Sequence, residues 1–144
     1  MTFGRFMERN CIFCRIIAGE IPSKKIFEDQ VTIAILDINP ISEGHSLVIP
    51  KKHVEYLEDA DEITLGHMTG IAGKIAKSMI KNGFADGTNL FLASHESADQ
   101  TVFHIHLHVI PRRKGDNMGI GDWWIEKSGG LDETKIPEIL RMLS

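Results

Sequence analysis

The sequence is short of cysteine, tyrosine and tryptophan: two, one and two in 144 residues. Two cysteines cannot build a disulfide-stapled scaffold, and a chain of this length does not need one. It also lacks an excess of positive charge. Sixteen Lys and Arg face twenty Asp and Glu, giving a net charge of −4 and a pI near 5.9. That speaks against a grip on duplex DNA or RNA, which needs a strong basic footprint, so no nucleic acid polymer is expected as a partner. Long apolar runs are missing too. Val31–Leu36 and Leu47–Pro50 are strand length, far short of the roughly 20 residues that cross a bilayer. Residues 1–10 hold no apolar core of signal-peptide length and include Glu8. They read as a short extension ahead of one domain over 11–144, in the cytoplasm and without a membrane partner. There is no internal repeat, low-complexity tract or linker. With 42% hydrophobic and 25% charged residues, disorder is excluded as the main description. What the chain does have is histidine: seven, three of them within five residues.

Apolar patterning sketches the fold. Cys11–Ile17 suits a short helix ending at Gly19. Val31–Leu36, rich in β-branched residues, reads as a strand closed by Asp37-Ile38-Asn39-Pro40. Ser42-Glu43-Gly44 reads as a turn, and His45–Ile49 as a second strand stopped by Pro50. Ile63–Ile80 carries Met68, Ile71, Ala72, Ile75, Ala76, Met79 and Ile80 at spacings of three and four, the stripe of a long amphipathic helix. Asp59 or Asp61 is placed to cap its start, and Asn82-Gly83 its end. Asn89–Ala93 and Val102–Ile110 read as further strands, and Thr134–Leu143 as a short helix with Ile136, Ile139, Leu140 and Leu143 inward. Strands in runs around one long helix predict an α+β domain with an antiparallel sheet.

His104-Ile105-His106-Leu107-His108 alternates polar and apolar residues. Side chains of a strand alternate between faces, so the three imidazoles share one face while Ile105 and Leu107 bury the other. Each ring has two nitrogens to satisfy, which a purely structural role for all three does not explain. Two chemistries compete. Adjacent histidines of the set, about 6.8 Å apart along a strand, can share a metal ion; the outer two, about 13.6 Å apart, make three-histidine ligation awkward. Alternatively the row meets a phosphate, with one neutral imidazole as nucleophile and its neighbours as hydrogen-bond donors. Spacing favours the phosphate, or a division of labour among the three. Cys11-Ile12-Phe13-Cys14 is half of a tetrahedral zinc site, and no thioredoxin-like βαβ pattern surrounds it to suggest a redox pair.

His104-Ile105-His106-Leu107-His108-Val109-Ile110 resembles the motif of the histidine triad (HIT) superfamily. The likeness runs from Cys11 to Arg112, through Cys11–Pro22, Phe27-Glu28-Asp29, Leu36–Pro40, Gly44–His53 and Gln100–Phe103, and is similar to the Hint-like branch. This resemblance implies a HIT fold and a homodimer. It also implies a nucleotide hydrolase or transferase acting on adenosine or guanosine phosphoramidates, acyl-nucleotides or dinucleoside polyphosphates. His106 would attack the α-phosphorus and form a nucleotidyl-imidazole, its other N–H held by a backbone carbonyl; His108 would bind phosphate oxygens. By the same likeness Thr101 and Gln100 lie near the phosphate, Asp37 meets the ribose hydroxyls, and Ile12, Phe13, Ile16, Ile38 and Leu47 clamp the base. His45 corresponds to a position near the nucleotide. Cys11, Cys14, His53 and His104 match the ligands of a structural zinc in related proteins. One departure stands out: Ala93 occupies a position where relatives commonly carry asparagine, so that one polar contact is either lost or supplied by Ser94 or His95. Two rivals remain, a metal-dependent hydrolase that uses the triad as ligands and a nucleotide-binding module with negligible turnover. His67, His95, Trp123 and Trp124 read as surface or packing residues.

Overall fold

A computed structural model describes residues 10–144, so the expected extension lies, apart from Asn10, outside the described residues. The chain divides after Lys114, and Gly115–Ser144 forms a second compact unit. In the first unit a five-stranded antiparallel sheet has the order β1-β2-β3-β5-β4, with β1 Lys25–Glu28, β2 Thr32–Leu36, β3 Ser46–Pro50, β4 Gly87–Phe91 and β5 Leu107–Arg112. Helix α1, Ile12–Ile17, precedes the sheet, and α2, Glu62–Lys81, connects β3 to β4. This is the α+β architecture expected from the alternation of patterns.

Both faces of β2 and β3 are covered, which is why their sequences read as continuous apolar runs. Ala34 and Val48 face α2, where Met68, Ile71, Ala72 and Ile75 meet Ile105, Leu107 and Val109. On the opposite face Ile33, Ile35, Leu47 and Ile49 pack with Phe13, Cys11 and Cys14 of the α1 region. The helix runs one residue beyond the expected span at each end and is capped by Asp61, whose carboxylate accepts from the Thr64 amide. Its stripe ends sooner than the periodicity suggested: Ile80 is exposed. Gly44 sits in the turn before β3 at φ +88°, and a Cβ there would fall 2.4 Å from the Phe84 ring, so the turn accepts only glycine.

β2 and β3 differ from the sequence reading by one residue, and β1, β4 and β5 by more. β1 escaped it, because Lys25–Glu28 is a mostly exposed edge strand with no apolar alternation. β4 begins and ends two residues earlier than Asn89–Ala93. β5 begins only at Leu107, because the Ile105 amide bonds the Val54 carbonyl, outside the sheet. In the second unit, α3 at Ile120–Lys127 was not foreseen in a Gly-rich stretch, and α4 spans Ile136–Leu143 after a 3-10 turn. Ile139, Leu140 and Leu143 of α4 are exposed, not inward. No helix among the described residues is long and apolar enough to cross a membrane.

The β1–β2 turn is pinned to α2 by one carboxylate. Asp29 accepts hydrogen bonds from the amides of Val31 and Thr32 and the Thr32 hydroxyl, at 2.7–3.0 Å. Its second oxygen meets His67 Nε2 at 2.6 Å. The Thr32 amide foremost, with the Val31 amide and His67, holds the Asp29 carboxyl well below the usual carboxylate range. A carboxyl whose pKa is lowered on folding stabilises the fold above its unfolded value, about 4, and loses that effect as pH falls toward the folded value. The urea midpoint should therefore drop more steeply from about pH 5 to pH 3 in the wild type than in Asp29→Asn, which starts lower at pH 7. Identical pH profiles would show that Asp29 carries no such linkage. In the core, Met68→Ala should cost about 2–5 kcal/mol in chemical denaturation, whereas Ile80→Ala should stay within about 0.5 kcal/mol.

Candidate functional site

The approach to β5 places the three histidines on the sheet face opposite α2, while Ile105, Leu107 and Val109 enter the helix-facing core. Each imidazole then takes a different set of partners. His106 Nδ1 lies 2.8 Å from the carbonyl of His104. A carbonyl only accepts, so Nδ1 carries the proton and Nε2 is bare. His45 Nδ1 accepts from the Ile41 amide at 3.2 Å, which leaves the proton on its Nε2. That N–H donates to His108 Nδ1 at 2.8 Å, so the His108 proton sits on Nε2. Neighbouring histidines are thus fixed in opposite tautomers, one with a lone pair and one with a donor. Burial lowers the pKa of His106, and it brings His108 down to about 4, with His106 and His45 adding to the effect. Burial also lowers His45, against the opposing influence of Asp37. Phe13 packs its ring against His106, with centroids 4.9 Å apart.

A cavity of about 440 Å³ opens beside His106 and His108. Helix α1 contributes Ile12, Phe13 and Ile16; the end of β2 brings Asp37 and Ile38; β3 supplies Leu47. Gln100 and Thr101 line it from the loop before β5. The sequence-predicted apolar clamp, the aspartate and two of the triad histidines therefore meet at one cavity. His45 and His104 do not line it: His45 stands behind His108, and His104 faces away. Gln100 is buried and already committed, since its amide N–H groups donate to the Glu55 and Val102 carbonyls and its oxygen accepts from the His95 amide. It holds the loop instead of offering a spare donor. Asp37 accepts from the Asn39 amide, and its other oxygen lies 3.6 Å from His45 Nε2. Ala93 lines the cavity, but Ser94 and His95 do not replace its missing polar group. The Ser94 hydroxyl accepts from the Leu57 amide and donates to Glu58, while His95 bonds Glu58 and stacks on Tyr56. Asp99, on the same loop, also lines the cavity and was missed by the sequence reading.

His104 belongs to a second constellation with Cys11, Cys14 and His53, whose ligand atoms all lie within 4.8 Å of one another. His104 Nδ1 is 3.4 Å from Cys11 Sγ and 3.6 Å from Cys14 Sγ; His53 Nδ1 is 3.3 Å from Cys14 Sγ. In a tetrahedral zinc site with ordinary Zn–S and Zn–N bonds, sulfur and nitrogen ligands stand about 3.6 Å apart. These spacings, two sulfurs and two imidazole nitrogens fit such an ion. Nε2 of His104 donates to the Pro50 carbonyl at 2.7 Å, which aims a bare Nδ1 at the sulfurs. The cysteines form no disulfide. The triad is thereby split, and a single ion shared by His104, His106 and His108 has no support in their arrangement: His108 clusters with His45 and Asp37, and His106 with neither group.

The Cys₂His₂ set predicts close to one zinc per chain by elemental analysis after purification without chelator. Cys14→Ser should lose the metal and melt at a lower temperature. A metal-free wild-type protein that melts like the variant would contradict the assignment.

The HIT domain family matches residues 18–115. An uncharacterized HIT-like protein of Mycobacterium tuberculosis is 44% identical over 110 residues, 76% of each chain. The adenosine 5′-monophosphoramidase of Saccharomyces cerevisiae is 39% identical over 123 residues, 85% of this chain and 75% of its own. Among solved structures, a Zn-bound histidine triad family protein from Mycobacterium smegmatis superposes with a TM-score of 0.74 at 43% identity, covering 77% of this chain and 81% of its own. On the family match, these relatives and the five-stranded fold, the chain belongs to the HIT family.

Proposed function

We propose that the chain is a nucleotide hydrolase or transferase acting at the α-phosphate of purine nucleotide derivatives through a covalent nucleotidyl-His106. The observation that carries this reading is the pair of opposed tautomers at the cavity. His106 presents a bare, neutral nitrogen, the form a nucleophile needs at neutral pH. His108 presents an N–H, the form that binds a phosphate oxygen and steadies charge developing on it. The yeast relative's activity as an adenosine monophosphoramidase supports the same substrate class.

In this reading the base lies among Ile12, Phe13, Ile16, Ile38 and Leu47, and Asp37 accepts from the ribose hydroxyls. The lone pair of His106 Nε2 forms a bond to the α-phosphorus, and the bond to the leaving group breaks. The leaving group departs with that electron pair and, when it is an amine, takes a proton from water. As the imidazole gains positive charge, its proton stays on Nδ1, hydrogen-bonded to the His104 carbonyl. Water then attacks the phosphorus and gives up a proton to solvent, the P–N bond returns its electrons to His106, and the nucleoside monophosphate leaves. Thr101 stands beside the phosphate and His45 positions His108. Cys11, Cys14, His53 and His104 would hold a structural zinc, with no open position for substrate, that would tie α1 to the segment carrying the nucleophile. The protein works as a cytoplasmic homodimer; the open edge of β4 with exposed Leu90 and Phe91 supports association, and a thiol pair without a disulfide suits a reducing compartment.

Hydrolysis of an adenosine 5′-phosphoramidate tests the reading. His106→Ala should lose at least about a thousandfold in kcat, and AMP titration calorimetry should separate that loss from loss of the binding site. Rapid quenching of the wild type should trap an adenylylated chain by intact mass. Undiminished turnover in the variant would sink the mechanism; wild-type AMP binding without any product would make the chain a nucleotide-binding module instead.

A further inference from the structure

The cavity beside His106 and His108 is unusual in its charge. Among the described residues that line it there is no Lys or Arg, and the two side chains of fixed charge are both carboxylates, Asp37 and Asp99. Asp37 is occupied by the Asn39 amide and the neighbouring His45. Asp99 has no such engagement: among the described residues its carboxylate finds no hydrogen-bond or ion-pair partner, and the residue is exposed to solvent. Its backbone is held firmly nonetheless. The Asp99 amide bonds the Glu96 carbonyl, and the next residue, Gln100, is buried with its amide fixed to Glu55, Val102 and His95. Asp99 sits at φ +64°, ψ +26°, the left-handed region that aspartate and asparagine tolerate better than most side chains. The loop therefore keeps an unneutralised carboxylate at the margin of a cation-free cavity.

The α-phosphate of a bound nucleotide already brings negative charge, answered by the His108 donor. A polyphosphate leaving group would add several more charges where no cation receives them and a carboxylate repels them. A leaving group that carries an ammonium would find that carboxylate as its counter-ion. Resting on the proposed function above, we infer that Asp99 selects the leaving group: it favours nucleotides linked to a cationic amine and disfavours those linked to a polyphosphate chain. The step catalysed is unchanged; what Asp99 sets is the charge of the partner that departs from phosphorus.

Two phosphoramidates of adenosine 5′-monophosphate test this, one made with 1,2-diaminoethane, which leaves a free terminal ammonium, and one with propylamine, which is neutral at that end. Diadenosine tetraphosphate is the third substrate. The wild type should show a higher kcat/KM for the ammonium substrate than for the neutral one by about fivefold, the scale of one solvent-exposed charge pair. That ratio should shrink with added salt. Asp99→Asn should bring it close to one and raise the relative rate on diadenosine tetraphosphate. Asp99→Gly, which suits the positive φ best, should do the same and guards against a packing fault in the first variant. An ammonium preference equal in the wild type and both variants would overturn the role of Asp99 while leaving the proposed function standing. Failure of the wild type to turn over any of the three would overturn the proposed function itself, and this inference with it.

Discussion

The hydrogen bond from His106 Nδ1–H to the carbonyl of His104 is the contact on which the site depends. A neutral imidazole has two tautomers, and only one of them leaves a lone pair on Nε2. An acceptor that can never donate settles the choice. The relay from the Ile41 amide through His45 imposes the opposite choice on His108. Burial supports both, since it disfavours the charged imidazolium that would erase the difference. Two rings of identical chemistry, with centroids 4.8 Å apart, thus become a lone-pair face and a donor face.

The fold supplies that contact by giving the two sides of one sheet different duties. On the α2 side, interlocking apolar side chains fix the height of Ile105, Leu107 and Val109. On the other side, α1 lays Phe13 against His106 and brings Cys11 and Cys14 to His104. His104 is the hinge between these tasks, because its ring faces the sulfurs while its main-chain carbonyl faces His106. The loop before β5 is steadied separately, by the buried Gln100 amide.

Much of this arrangement was legible in the sequence. The long helix was readable because Met68, Ile71, Ala72 and Ile75 repeat at helical spacing, and the antiparallel sheet because its strands are short apolar runs between turn residues. Alternation across His104–His108 correctly separated the imidazoles from their apolar neighbours, although the strand itself is shorter than the alternation. Side-chain facing survives in an extended segment without ladder hydrogen bonds, so pattern alone overstated the strand. β1 is four residues long, with Ile26 and Phe27 adjacent and no alternation, and α3 lay in a Gly-rich stretch. The ring partners of His67 and His95 were invisible, because Asp29 and Glu58 reach them only through tertiary packing, and the Ile41 amide meets His45 only through the turn before β3. Asp99 carries no motif of its own, and only its place on the cavity wall distinguishes it from other surface carboxylates.

The acceptor that settles the tautomer of His106 is a main-chain oxygen, and every amino acid carries one. No substitution at position 104 can delete it; a new side chain there removes a ring, not the carbonyl. The four side chains of the Cys₂His₂ cluster, in contrast, are each one codon change from loss. Mutational drift can therefore dismantle the Cys₂His₂ cluster piece by piece while the protonation pattern of His106 is inherited intact, provided that other packing keeps the backbone in place. The two centres share a residue, yet their genetic fragility is unequal.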